Sequence, residues 1–203
     1  MRRLLTAVAI GLSAPAVCSA QNVAPPTKAV RAVFRVFSGT QEITAETRLA
    51  VRPSGSDKDA AVLTTPPLAV DLEPGIYDVQ AIHHKEGRVI GVRWAERLVI
   101  QKYPDERDEH LQVINLKAGF GALQIQIPLS VRPDPAAVTV KAAGGAPAAD
   151  VRVVGSKGYL LIVAPAGTYD VTVALPGGTE TFSGVEIPAD RTRMRPAGGD
   201  RAR

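Results

Sequence analysis

The hexapeptide Pro74-Gly75-Ile76-Tyr77-Asp78-Val79 has a near copy further along the chain, Ala166-Gly167-Thr168-Tyr169-Asp170-Val171. In both places a run of β-formers lies just upstream, Leu68 to Leu72 and Tyr159 to Val163, and a glycine-containing turn lies downstream. A phrase repeated in the same context points to a duplication, with one small β-sandwich written twice. Its parts have mechanical roles. Gly75 and Gly167 permit a tight reversal between antiparallel strands. Tyr77 and Tyr169, two residues on, face a core with a hydroxyl able to reach backbone at the sandwich edge. Asp78 and Asp170 point outward beside the turn. The repetition is therefore read as structural rather than as a shared binding site.

The rest of the chain has the same texture. Ala32 to Phe37, Thr47 to Val51, Leu68 to Leu72, Ile76 to His83, Val89 to Leu98 and Leu111 to Leu116 are β-rich runs separated by turn signals. Tyr77, Val79 and Ala81 share one face by the two-residue period of a strand, and Asp78 and Gln80 share the other. In the next run the same alternation groups Ile90, Val92 and Trp94, and a core position is expected for all three. A second series starts at Ala122 to Ile127 and continues through Val138 to Lys141, Val151 to Val154, Tyr159 to Val163, Thr168 to Leu175 and Thr181 to Ile187. No stretch of ten residues carries a 3.6-residue apolar period, although 99–110 leaves room for a short helical turn. Proline and glycine total 34 of 203 residues, high for a helical protein and low for a disordered one. The expected fold is all-β: two tandem small antiparallel β-sandwich domains, Ig-like or transthyretin-like. They span 30–117 and 118–190, with the boundary at Lys117 to Gly121. Residues 191–203 carry five arginines and no apolar periodicity, and read as a disordered basic tail.

The N-terminus has the layout of a secretory signal peptide. A basic start, Met1-Arg2-Arg3, precedes an apolar Leu4 to Val17 and small residues at Cys18-Ser19-Ala20. The segment is short for a bilayer span. No twin-arginine core follows Arg2-Arg3, and Pro15-Ala16-Val17 lacks the leucine that a lipid-modified Cys18 would call for. Cleavage after Ala20 leaves a polar leader at 21–29. It also removes the single cysteine, so the mature chain has no disulfide or thiolate chemistry. It leaves 22 basic against 20 acidic residues. So balanced a surface argues against nucleic acid as a partner, because phosphate binding needs a concentrated basic face.

The pattern of strand, Pro-Gly-x-Tyr-Asp-Val, strand, glycine turn, strand resembles the carboxypeptidase regulatory-like and PEGA-type β-sandwich modules of exported bacterial proteins. Leu72 to Val79 fits it well, and Ala164 to Val171 fits with alanine at the proline position. The resemblance implies a transthyretin-like fold and an accessory, adhesive or scaffold role in the cell envelope. It supplies no catalytic residues to carry over, and the residues themselves lead to no expectation of a cofactor or a metal.

Catalytic vocabulary is sparse. There is no Gly-x-Ser-x-Gly elbow, no His-Glu-x-x-His and no phosphate loop. His83 and His84 are adjacent on a strand and so point to opposite faces, which excludes one shared metal. His110 reads as an ordinary surface or strand-end histidine. The acidic run Asp105 to Glu109 lacks the spacing and glycine of a calcium loop. Asp71 with Glu73, or Asp78 with Glu86, are carboxylate pairs of no defined separation, and a hydrolase has no other support. The richest local patch is Arg93, Trp94, Glu96 and Arg97, the place where a ligand surface is expected if one exists. The leading expectation is an exported, periplasmic or secreted, non-catalytic scaffold or interaction module. Its partner is another envelope protein or a polysaccharide. The alternative is a carbohydrate-binding module using an exposed aromatic.

Overall fold

In a computed structural model, residues 28–102 and 109–197 are described. The expected signal peptide (residues 1–20), residues 21–27 of the expected leader and most of the acidic run therefore lie outside the described residues, as do 198–203. Fifteen strands form among the described residues, with two one-turn 3-10 helices, Thr44–Glu46 and Pro135–Ala137. The strands are β1 (Val30–Ser38), β2 (Gln41–Glu42), β3 (Thr47–Pro53), β4 (Ala61–Leu63), β5 (Leu68–Leu72), β6 (Gly75–Lys85), β7 (Arg88–Ile100) and β8 (Glu109–Asn115). They continue as β9 (Phe120–Gln126), β10 (Val138–Ala142), β11 (Arg152–Ser156), β12 (Tyr159–Pro165), β13 (Gly167–Leu175), β14 (Gly178–Ile187) and β15 (Thr192–Pro196).

The strand order of the first half recurs in the second. β1 pairs antiparallel with β5 and parallel with β8, and β9 pairs antiparallel with β12 and parallel with β15. β6 lies antiparallel between β3 and β7, and β13 lies antiparallel between β10 and β14. The halves differ at their edges: β2 pairs with the end of β1 and has no counterpart on β9, and β4 adds to the edge of β3, whereas β11 adds to the edge of β12. This repeated pairing corrects the reading of the C-terminus. Thr192–Pro196 is no disordered tail but a strand, pairing in parallel with β9 as β8 does with β1. Its arginines concealed it, because an edge strand can leave most of its side chains in water.

The four sheets are stacked. The inner faces of the β4–β3–β6–β7 sheet and of the sheet centred on β1 share a core that includes Phe34, Leu49, Leu68, Val79 and Ile100. The sheet centred on β9 and the β10–β13–β14 sheet share another, with Leu123, Ile125, Leu160, Ile162 and Val171. A third cluster joins the backs of the two middle sheets: Phe37, Leu111 and Val113 meet Phe120, Leu161 and Val163. The middle strands are thus buried on both faces, and β12 is buried through Leu160–Ala164 without alternation. The Arg93–Asp190 ion pair, 2.8 Å long, ties β7 to the loop ahead of β15 beside this junction.

The repeated phrase makes the same contacts twice. The Tyr77 hydroxyl donates to the Glu73 carbonyl at 2.8 Å, and the Tyr169 hydroxyl donates to the Pro165 carbonyl at 2.8 Å. Burial raises both phenol pKa values, so both hydroxyls stay protonated donors. Gly75 and Gly167 lie beneath the tyrosine rings, where a Cβ would stand 3.4 and 3.5 Å from ring carbons. The aspartates do more than face outward. Asp78 accepts the Arg97 amide and Asp170 the Gly184 amide, each at 2.8 Å. Both acceptors secure a β-bulge on the neighbouring strand, and the bulged residues are left-handed, with φ of 55° at Arg97 and 62° at Gly184.

Candidate functional site

A bulge inserts one residue, and beyond it the side chains exchange faces. Leu98 and Ile100 point into the core of the first half. Carried back in steps of two, that phase would bury Ile90, Val92 and Trp94. The extra residue at Arg97 reverses it. Ala95 pairs with core-facing Val79 and Arg93 with Ala81, so Trp94 and Val92 point outward opposite Gln80 and Ile82. Val92 is 53% exposed and Trp94 38%. The core position expected for Ile90, Val92 and Trp94 is therefore overturned, and the bulge is the reason.

The outward face of the β4–β3–β6–β7 sheet then reads, row by row, Ile76 beside Val99, Gln80 beside Trp94, and Ile82 beside Val92, with Ala50 and Val62 continuing across β3 and β4. The recurrence of this strand pairing in the second half supplies an internal control. The equivalent rows of the second half are Thr168 beside Glu186, Thr172 beside Thr181, and Ala174 beside Thr179, with Thr139 next to Thr172. The same outward positions are polar or small in one half and largely apolar in the other. Folding does not demand the apolar set, since the second half builds the same sheet without it. Five of the exposed large hydrophobics lie here, Val62, Ile76, Val92, Trp94 and Val99, with Val89 and Ile90 at the irregular far end of β7. The polar row of Arg52 and Asp78 separates Ile76 and Val99 from the cluster of Val62, Val92 and Trp94, and an exposed apolar cluster of this kind marks contact with another molecule.

Trp94 also lines an open cleft of about 530 Å³ with Arg52, Gly55, Ser56, Asp57, Asp78 and Glu96. The Arg52 guanidinium lies 4.7 Å from the ring centroid and is held by Asp59 at 2.9 Å. One ring face is thus covered by the chain's own cation. Of the four patch residues expected from sequence, Trp94 and Glu96 line this cleft. Arg93 is on the opposite side of β7, paired with Asp190 and near the Leu116 carbonyl at 3.4 Å. Arg97 occupies the bulge. The sheet neighbours Ile76, Ile82 and Val99 and the stacking partner Arg52 were missed. Only the register brings them together with Trp94.

His83 contacts Glu46 at 2.9 Å at the end of β6. His110 is not a surface residue: it is 2% exposed. Its Nδ1 donates to the Gln101 carbonyl at 2.9 Å, and its Nε2 accepts from Gln112 at 2.7 Å. Burial lowers its pKa, opposed in part by the bond to Gln101. Among the described residues no group of three or more histidine, cysteine, aspartate or glutamate side chains is arranged to hold a metal ion. No helix among them is long and apolar enough to cross a membrane.

No family model matches the chain, and no curated protein matches it by sequence. Solved structures give distant likenesses. The tip fimbrial protein Mfa3 from Porphyromonas gingivalis, truncated at its C-terminus, is 10% identical, with a TM-score of 0.31 over 78% of this chain and 81% of that one. The Bacillus anthracis TIE protein is 15% identical, with a TM-score of 0.30 over 82% of this chain. This chain spans 33% of that protein's length. Likenesses this slight carry no argument about function.

Proposed function

We propose that this protein is an exported, non-catalytic interaction module whose contact surface for another protein is the outward face of the β4–β3–β6–β7 sheet. The observation that carries the reading is the difference between the duplicated halves. Where Thr168, Thr172, Thr179 and Thr181 stand in one, Ile76, Gln80, Val92 and Trp94 stand in the other. The resemblance to envelope modules of the carboxypeptidase regulatory-like and PEGA type supports the same role, and the signal-like N-terminus supports export. The test is a photo-cross-linking side chain placed at Val92 and, as control, at Thr179, in cells that produce the protein. A discrete protein adduct from Val92 alone is expected. Adducts from neither position, or equally from both, would count against this face.

The Trp94 cleft favours a second reading, recognition of a polysaccharide. An exposed indole flanked by Asp78, Glu96 and Ser56 is the usual composition of a sugar platform. Arg52 weighs against it, since a sugar stacking on that face of the ring would have to displace the guanidinium. Binding to a glycan panel that is lost on Trp94→Ala, with no protein adduct from Val92, would favour the polysaccharide.

A further inference from the structure

We infer that the occupant of this face is a second copy of the chain: two molecules pack their β4–β3–β6–β7 sheets face to face about a two-fold axis. The inference rests on reading the face as a protein contact surface, and it names the partner.

The stack of sheets carries the argument. Each face turned toward a neighbouring sheet is apolar, as the three buried clusters show. Two faces remain at the ends of the stack. One, on β10–β13–β14, bears Thr139, Thr168, Thr172, Thr181 and Glu186, which suits water. The other bears Ile76, Ile82, Val92, Trp94 and Val99, the kind of residues found between the sheets, with Gln80 and the charged Arg48, Arg52 and Asp78 among them. An end face of that composition is completed by one more sheet. The polar end cannot provide it, because head-to-tail stacking would press Ile82 and Val92 onto Thr172, Thr179 and Thr181 and run on into an open filament. Joining apolar end to apolar end closes the assembly at two copies and leaves a threonine-rich face outermost on both sides.

Pairing of β7 edges is the competing geometry, and the strand is built against it. Its register is broken by irregularities at both ends, between Tyr77/Val79 and between His83/His84 of its partner strand. Its Arg93 points inward to Asp190. Bulges and inward charges both blunt an edge. The rim of the face suits a two-fold axis running across the strands. Arg48, in the row of Ile82 and Val92, has no ion pair among the described residues, and neither do Asp57 and Glu96 beyond Trp94. Such an axis sets these two ends opposite one another.

Sedimentation velocity of the full chain across the micromolar range tests this, comparing the wild type with Val92→Glu and with Thr179→Glu at the equivalent position. Circular dichroism of each variant checks the fold. The expected result is a dimer for the wild type and Thr179→Glu, weakened roughly tenfold or more by Val92→Glu. A monomeric wild type at the highest concentration, or a dimer indifferent to Val92→Glu, would overturn the inference. A monomer that still gives a Val92 adduct with a different protein overturns the dimer alone and leaves the contact-face reading standing. A monomer with no adduct removes both.

Discussion

The Asp78 carboxylate accepts the backbone amide of Arg97 at 2.8 Å, at the bulge that sets which side of β7 meets solvent. It holds the bulge that reverses the strand's alternation, turning Val92 and Trp94 outward while Leu98 and Ile100 stay in the core. Asp170 and Gly184 repeat the arrangement in the second half. This is why Asp follows Tyr in both copies of the phrase. Tyrosine fixes the start of the strand to the preceding turn, and aspartate fixes the bulge of its neighbour.

The bulge residues predict opposite substitution effects. Left-handed backbone costs a residue with a Cβ about 1 kcal/mol relative to glycine. Gly184→Ala should therefore destabilise the protein by about 1 kcal/mol, and Arg97→Gly should be neutral or stabilising. Asp78→Ala and Asp170→Ala should each cost about 1–2 kcal/mol through loss of a charge-assisted bond. Urea denaturation of the four variants checks the set, and a destabilising Arg97→Gly would contradict it.

The tyrosine contacts should be equivalent in the two halves. Tyr77→Phe and Tyr169→Phe remove only the hydroxyl that donates to Glu73 or Pro165, so each should cost about 1 kcal/mol. Denaturant midpoints measure this. An unchanged midpoint in either variant would show that its bond contributes nothing.

Ending the chain at Asp190 tests β15. The truncation strips β9 of its parallel neighbour and exposes the edge beside Ala122, Leu123 and Ile125. Loss of several kcal/mol, or aggregation through the bared edge, is expected on chemical denaturation. Unaltered stability would restore the reading of these residues as a tail.

His110 predicts an acid-sensitive fold. Its folded pKa lies below the ordinary histidine value of about 6.5, so the folded state binds fewer protons than the unfolded state between the two values. Its contribution is complete above about pH 6.5. It falls as the pH drops below that, and levels off once the folded pKa has been passed. Charging also places a proton on Nε2, where Gln112 now donates. The pH dependence of urea midpoints, compared with His110→Gln, should show a smaller loss in the variant. Identical profiles would remove His110 as the cause.

Much of the strand pattern was legible in the sequence, because alternation is clear in β6 and at the end of β9 and turn residues separate the runs. The outer face was not. Its composition depends on the phase of β7, and phase cannot be carried through a bulge whose left-handed residue is arginine. Aligning the two phrases does not expose it, because the second hairpin is five residues shorter and sets Arg97 beside Ala189; only the pairing of Leu98 with Tyr77 and of Val185 with Tyr169 puts Arg97 level with Gly184. β15 escaped notice for a different reason. Parallel pairing with a distant strand leaves no local turn signal, and Thr192-Arg193-Met194-Arg195-Pro196 offers one apolar residue in five.

The most direct test of the account is the fluorescence of Trp94, the only tryptophan, at submicromolar concentration where a second copy would be dissociated. The account predicts red-shifted emission readily quenched by acrylamide, moving to the blue and becoming protected as concentration rises and the faces meet. Blue-shifted, quencher-resistant emission in the most dilute samples would place the ring in the core. β7 would then have the opposite phase, and the contact face would not exist.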